Sequence, residues 1–137
     1  MRFACFGENY WELRNGEICH AENPKTFWLP ELERRKNLQR GDAAKLIFEI
    51  ECEKDDGNII VQGERIFVIV SEIVQDKYIG ILDSQPACIE KGNKDVYLCF
   101  GAEVCFSSEH VIEIARPPDE YIEWQLGLPP ERSWPRK

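Results

Sequence analysis

The chain has 137 residues, and its 25 Asp and Glu against 17 Lys and Arg give a formal net charge of −8. A hydrophobic fraction of 43% predicts a folded core, and the length fits a single domain. The acidic balance argues against nucleic acid and anionic membrane surfaces as partners, because both carry negative charge themselves. The composition therefore favours a protein partner with a basic surface.

The first residues and the cysteines predict the compartment. Glu8 and Glu12 interrupt any apolar stretch of the kind that a signal peptide needs, so a cytoplasmic protein is expected. The six cysteines could form three disulfides, but a reducing cytosol favours free thiols. Several of them lie among apolar residues, where a free cysteine packs as a small hydrophobe.

The N-terminal third contains two turn or helix signals. Asn15-Gly16 suits a type I′ turn, which predicts a hairpin over residues 10–20. Pro30 suits the first turn of a helix, and the basic residues at 34–36 favour its C-terminal end. A short helix is therefore predicted near residue 32.

The middle of the chain is typical of strands. Over residues 45–53, Leu46, Phe48, Ile50 and Cys52 alternate with residues of the other face, most of them acidic, which is the period of a β-strand. The run at 66–70 is apolar on both faces and is expected to lie in the centre of a sheet. Further strands are predicted at 59–61, 65–74, 78–83, 96–100, 103–106 and 111–114.

The C-terminal segment follows Arg116-Pro117-Pro118. A short helix is predicted over residues 119–126, near residue 122, with Asp119 as N-cap and Gly127 as terminator, before a Pro-rich tail. We therefore divide the chain into one β-rich domain at 1–116, with the hairpin at 10–20 and a core at 26–116, and an appendage at 117–137.

The predicted elements indicate a fold class. It is mainly β with minor α (α+β), because short strands dominate and the two predicted helices are short. A strongly bent antiparallel sheet or a small SH3-like barrel would close such a set of strands.

A row of acids is the most informative local feature. On a strand, side chains two residues apart share a face, so three carboxylates should line one side of residues 45–53. Such a row could meet a basic partner; alternatively, it is a solvated edge strand whose charges discourage aggregation. The candidate contacts are Glu49, Glu51, Glu53, Asp55 and Asp56, with Asp119, Glu120 and Glu123 as a second region.

The four tryptophans have different expected environments. Trp11 and Trp28 are expected to pack on the sheet, and Trp124 is expected to dock its helix there. Trp134 lies between a serine and a proline in the tail, where it could contact either its own domain or a partner, as interface tryptophans do.

Catalytic and metal signatures are weak in this chain. Cys99, Cys105 and His110 occur in order, but no closely spaced Cys pair of the zinc type is present. Cys105 with His110 could be drawn as a nucleophile and base, so a hydrolase or metalloprotein is kept as a second alternative. We expect no enzymatic activity, no cofactor and no metal.

Residues 26–114 carry a partial resemblance. The residues that carry it are Gly63-Glu64-Arg65, Gly80-Ile81-Leu82-Asp83, Pro86, Gly101-Ala102-Glu103-Val104-Cys105-Phe106 and His110-Val111. In this order they resemble small bacterial β-rich domains of uncharacterised biochemistry, some of which look like immunity proteins of polymorphic toxin systems. The resemblance implies a fold type and a role, and it carries no catalytic residues.

Together these observations predict a cytoplasmic immunity protein. It would neutralise a cognate bacterial toxin by direct stoichiometric binding through an acidic surface to a basic toxin domain. The first alternative is a small regulatory module that binds a protein or peptide. The oligomeric state is left open.

Overall fold

The computed structural model describes all 137 residues and confirms a mainly β protein with minor α. Its strands form a strongly curled antiparallel half-barrel, accompanied by four short helices. In chain order the elements are α1 (Phe6–Asn9), β1 (Trp11–Leu13), α2 (Gly16–Glu22), α3 (Leu32–Lys36), β2 (Ala43–Glu53), β3 (Ile59–Val74), β4 (Lys77–Leu82), β5 (Glu103–Phe106), a 3₁₀ turn (Ser108–His110), β6 (Glu113–Ala115) and α4 (Asp119–Gly127).

The sheet is organised around β2 and β3. The strand order is β1-β2-β3-β4-β5, and β6 pairs with β2. β1 and β6 lie end to end along one edge of β2, β6 near its start and β1 near its end. β3 pairs with β2 over its first part and with β4 only from Val68 onward. As predicted, residues 66–70 are therefore central.

The core lies on the concave face of the sheet. Leu46, Phe48 and Ile50 of β2 point into it and are at most 3% exposed, as their alternation predicts. Gly80 in β4 lets the sheet curl, because a β carbon there would lie only 2.6 Å from Cγ2 of Val68. No helix in the structure is long and apolar enough to cross a membrane.

The hairpin predicted over residues 10–20 is wrong in its second half. β1 pairs with β2 instead of with residues 17–20. The side chain of Asn15 accepts hydrogen bonds from the backbone N–H groups of Glu17 and Ile18, at 2.9 and 3.1 Å. Asn15 therefore caps helix α2, because the capping bonds satisfy N–H groups that a helix start leaves free.

Several other elements differ from prediction. Residues 96–100 belong to the loop between β4 and β5, and the strands predicted at 59–61 and 65–74 are one strand, β3. The short helices near residues 32 and 122 are confirmed as α3 and α4, although the N-cap of α4 is Pro118. The strand predicted over 111–114 begins later, at Glu113.

Two tryptophans do not pack as expected. Trp11 is buried in the core, but Trp28 is 83% exposed and Trp124 is 52% exposed. On α4 the buried residues are Ile122 and Gln125, so Trp124 lies away from the face that packs on the sheet. Trp28 lies in the connection between α2 and α3.

The C-terminal segment is part of the same core, so the boundary predicted at residue 116 does not separate it. Trp134 is 8% exposed and belongs to the main hydrophobic cluster. Its indole N–H donates to the backbone oxygen of Arg2 at 2.7 Å. The tail also extends the sheet, since the N–H of Glu103 donates to the oxygen of Arg132 at 3.0 Å.

Glu103 holds this tail in place. Its buried carboxylate accepts hydrogen bonds from the backbone N–H of Trp134 at 2.8 Å and from the two terminal guanidinium nitrogens of Arg136 at 2.9 Å. Burial by itself would raise the pKa of Glu103, but the Arg136 bond, the Trp134 N–H and the charge of Arg136 together lower it. The ion pair is therefore kept at neutral pH.

The substitution Glu103→Gln tests this anchor. We expect it to lower the free energy of unfolding by about 2 kcal/mol at pH 7, because the charged hydrogen bonds to Arg136 are lost. The lowered pKa means that the unfolded chain binds more protons in acid. The stabilisation is thus present above the unfolded pKa of about 4.3 and is lost as the pH falls through the folded value. Urea titrations of both proteins at pH 7 and pH 3 measure this, and an undiminished difference at pH 3 would contradict it.

Candidate partner-binding surface

The acidic row lies at the closed end of the β2–β3 hairpin. Glu53 pairs with Ile59, Glu51 with Val61 and Glu49 with Gly63 across the two strands. Residues 54–58 form the turn, in which Lys54 donates its N–H to the oxygen of Asn58 at 2.8 Å. We call residues 51–61 the acidic tip. Its acidic strand residues lie on the outer face, opposite the core.

The carboxylates of the row differ in their partners. Glu49 forms an ion pair with Arg14, which follows β1, and this pair occupies it within the fold. None of the ion pairs of the structure includes Glu51, Glu53, Asp55 or Asp56. Asp56 shapes the turn, since its side chain accepts the N–H of Asn58 at 2.9 Å. The row therefore divides into one paired acid and an unpaired group at the tip.

The alternative of a solvated edge strand applies only to the last part of β2. β2 is paired with β3 over its full length, whereas β6 and β1 pair with its other side only at residues 43–45 and 48–50, so Glu51 and Glu53 lie beyond the strands on that side. Like charges on neighbouring positions of one face repel, and here the tip holds no cation in contact with them. Lys54 is the one base of the tip and forms no ion pair with its acids, so the tip keeps a net negative charge.

Exposed aliphatic residues accompany these acids. Ile59 is 67% exposed and Val61 is 55% exposed, and each faces an acid on the neighbouring strand. Tyr10 precedes β1 and is also exposed; its backbone oxygen accepts the N–H of Glu51 at 3.0 Å. These three residues are absent from the contacts predicted from the sequence. The hairpin register could have revealed Ile59 and Val61, because a turn over residues 54–58 places them opposite Glu53 and Glu51.

The second acidic region lies elsewhere. α4 begins with Asp119 and Glu120, where carboxylates are favoured by the helix dipole, and Glu123 is exposed on the same helix. α4 packs against β3 and against the turn before β2, where a β carbon on Gly41 would lie 3.0 Å from Cγ2 of Ile122. β2 then runs about 34 Å to its end at the tip. The structure therefore does not bring the two predicted regions together, and Trp134 is buried against the rings of Trp11 and Tyr97.

A groove lies behind the acidic tip. It has a volume of about 510 Å³ and runs between the ends of β1 and β2 and the loop before β5. Tyr10, Ile59 and Tyr97 contribute aromatic and aliphatic surface to its wall. Four acids also line it: Glu51, Glu53, Glu90 and Asp95. The combination fits an apolar or aromatic side chain next to a positive charge.

One pair of cysteines closes the wall of this groove, which corrects the prediction of six free thiols. Cys52 and Cys88 form a disulfide with their Cα atoms 6.0 Å apart, while Cys5, Cys19, Cys99 and Cys105 are free. The same loop is held by Glu64, whose carboxylate accepts the N–H of Ala87 at 2.8 Å. The pairing depends on a fold that brings this loop beneath β2.

Cys105 and His110 do not form an activated pair. Burial raises the pKa of the Cys105 thiol to about 11, which keeps it protonated near neutral pH. Burial lowers the pKa of His110, and its Nδ1 accepts the N–H of Ser107 at 3.1 Å. The structure contains no cluster of three or more His, Cys, Asp or Glu side chains that could hold a metal ion.

Comparison of the chain with known protein families, with curated proteins and with solved structures finds no significant match. The geometry of the chain itself is therefore what bears on its function.

The disulfide should be a major source of stability for the groove wall. It joins residues 36 positions apart, and the loss of chain entropy in the unfolded state corresponds to about 4 kcal/mol. We expect the double substitution Cys52→Ser and Cys88→Ser to lower the free energy of unfolding by about 2–4 kcal/mol. Reduction of the disulfide in the wild type should lower it by a similar amount. Cys5→Ser, at an exposed free thiol, is the matched control. A double variant as stable as the oxidised wild type would contradict this account.

Proposed function

We propose that the protein is a bacterial immunity protein that neutralises a basic toxin by stoichiometric binding through the acidic tip. The observation that carries the proposal is the unpaired acids Glu51 and Glu53 beside the exposed aliphatic residues Ile59 and Val61. Opposite charge speeds the encounter and selects the partner, whereas the aliphatic residues supply surface that becomes buried. The two acids form no ion pair within the fold, and most of the surface of the two aliphatic residues is exposed.

The proposed action is occlusion and not catalysis. The acidic tip would cover a basic active site, such as that of a nuclease toxin. It would thereby occupy the place of the anionic substrate. The raised pKa of Cys105 argues against this thiol as a nucleophile, because a catalytic thiol needs a lowered pKa. The hydrolase alternative thus lacks an activated nucleophile at Cys105.

The bacterial cytoplasm is the proposed place of action. The four free cysteines fit a reducing compartment, whereas a disulfide such as Cys52–Cys88 is rare there. In the cytoplasm, the loop would then be held to the hairpin by Glu64 and by packing when the thiols are reduced.

The groove behind the tip favours the alternative of a peptide-binding regulatory module. Its volume of about 510 Å³ and its aromatic and acidic lining suit a short peptide with a basic residue. The two functions differ in the partner, because an immunity protein acts on the toxic product of a neighbouring gene.

Co-expression with the product of the adjacent gene tests the proposal. Wild-type protein should relieve the toxicity of that product and form a complex with it in equal amounts. The double charge reversal Glu51→Lys and Glu53→Lys should weaken the complex by roughly tenfold or more and abolish protection. Because the attraction is electrostatic, the wild-type affinity should also fall as salt is added.

The matched control is Glu120→Lys with Glu123→Lys, which changes the net charge equally at the other end of the sheet. It should keep full protection. If it abolishes protection while the tip variant retains it, the interface is at α4. If the neighbouring product is not toxic, or its toxicity is unaffected by the wild-type protein, the proposed function is wrong.

A further inference from the structure

One stretch of β3 has a free backbone edge. The odd-numbered residues of β2 direct their backbone N–H and C=O groups away from β3. The N–H of Glu51 donates to the oxygen of Tyr10, and the N–H of Arg14 donates to the oxygen of Ile47, each at 3.0 Å. The intervening residues of β2 therefore bond to β3, and their partners in β3 are Ile60, Gln62 and Glu64. It follows that Ile59, Val61 and Gly63 direct their N–H and C=O groups to the opposite side.

No strand occupies that side of β3 over residues 59–63. β4 pairs with β3 only from Val68 onward. Towards the tip, the last hydrogen bond on this side of β3 is donated by the N–H of Asp83 to the oxygen of Phe67, at 3.0 Å. The loop that follows is held through the side chain of Glu64, which belongs to the core-facing set. Val61 and Gly63 are both exposed. Their outward backbone groups are thus available.

This edge lacks the protection that the other edges have. β1 and β6 are only three residues long, and the edge of β5 is covered by the tail, where Glu131 and Arg132 bond to Gly101 and Glu103 at 3.0 Å. Exposed edges are normally shielded by such covers, or by charged residues, proline or bulges. Residues 59–63 read Ile-Ile-Val-Gln-Gly and contain none of these devices. An unshielded edge of this kind pairs readily with another strand.

We propose that an extended segment of the basic partner adds to the edge of β3 at residues 59–63 as an additional β-strand. This inference rests on the proposed function and specifies how the partner is held. Backbone hydrogen bonds to Val61 and Gly63 supply the pairing. The added strand lies about 5 Å from β3 and about 10 Å from β2, so lysine or arginine side chains on its outer face can extend across β3 towards Glu51 and Glu53.

Charge identifies the occupant as a basic segment and not a second copy of this chain. The outer face beside the edge carries unpaired Glu51 and Glu53, and each copy has a net charge of −8. Two copies joined at this edge would place four unpaired acids on one continuous face. A strand with alternating basic residues would neutralise them.

Peptide binding tests the pairing directly. The first probe is acetyl-Lys-Thr-Lys-Val-Lys-Thr-Lys-amide, which presents lysines on one face of a strand. The second has the same sequence with N-methyl groups on all five residues between its ends, so it keeps the charge but has lost the backbone N–H donors of both edges. Two-dimensional amide spectra should show the first probe shifting the signals of Ile59, Val61 and Gly63. The N-methylated probe should bind about tenfold more weakly.

Two variants separate the backbone from the side chain. Val61→Pro removes an outward N–H without removing a bond to β2, and proline is tolerated at such edge positions. Val61→Thr keeps the N–H and the strand propensity. The proline variant should bind the first probe about tenfold more weakly, whereas the threonine variant should bind like the wild type. Unchanged amide signals in β4 and β5 check that the proline variant is folded.

Each outcome has a defined meaning. If the N-methylated probe binds as tightly as the first, or if the proline and threonine variants bind equally, strand addition is wrong although binding to an acidic surface stands. Failure of the first probe to bind also overturns strand addition. A dimer that Val61→Pro converts to a monomer would make a second copy the occupant and overturn the choice of a basic segment. Loss of toxin protection in the charge-reversed protein is a separate result, which bears on the proposed function alone.

Discussion

The ladder between β2 and β3 is the interaction on which the rest of the structure depends. It joins eleven residue pairs, from Ala43 with Ile69 to Glu53 with Ile59, and every other strand is attached to it directly or through β4. A two-stranded hairpin alone is marginal in water, so its apolar face must pack against other elements. The curl permitted by Gly80 brings β4 and β5 around that face, and the tail with Trp134 is part of the same core.

The neighbours of this ladder stop short of its closed end. β1 reaches only as far as Trp11 opposite Ile50, and β4 begins its pairing at Val68. Consequently the acidic tip has strand neighbours only within the hairpin itself. The disulfide between Cys52 and Cys88 and the bond from Ala87 to Glu64 fix the loop behind it. A projecting element that is held from behind can present its outer face to a partner with little reorganisation.

The outer face of the hairpin is divided by what covers it. α4 packs against β3 and against Gly41, just before β2, and Arg14 pairs with Glu49 further along β2. Beyond these contacts, Glu51 and Glu53 face exposed Val61 and Ile59. The tip carries four acids (Glu51, Glu53, Asp55 and Asp56) against one base, Lys54, at a place where the fold has left backbone edge and aliphatic surface beside them. The association of these three features is the basis of the proposed binding mode.

Sequence patterns predicted the strands and the buried face that follow from local periodicity. The alternation in residues 45–53 gave β2, its buried face and the acidic row, and the apolar run at 66–70 gave a central strand. Asn15-Gly16 misled because the same residues suit a turn or a helix cap, and only the capping bonds to Glu17 and Ile18 decide between them.

Other features depend on contacts between distant segments. The Cys52–Cys88 pair, the Arg14–Glu49 pair and the burial of Trp134 each need the register of the sheet and the path of a loop, which no local pattern contains. The open edge at residues 59–63 is of the same kind. It follows from where the pairing with β4 begins, and nothing within β3 itself marks that position.

Hydrogen exchange of the β3 amides is the most direct measurement of the central claim, which is that β3 is paired on one side only at the tip. The account predicts protection at Gln62 and Glu64, whose N–H groups face β2, and exchange close to the unpaired rate at Val61 and Gly63. Protection that alternates along the strand in this way would establish the free edge in the unbound protein. Equal protection of all four amides would contradict it, because another segment would then be covering the edge.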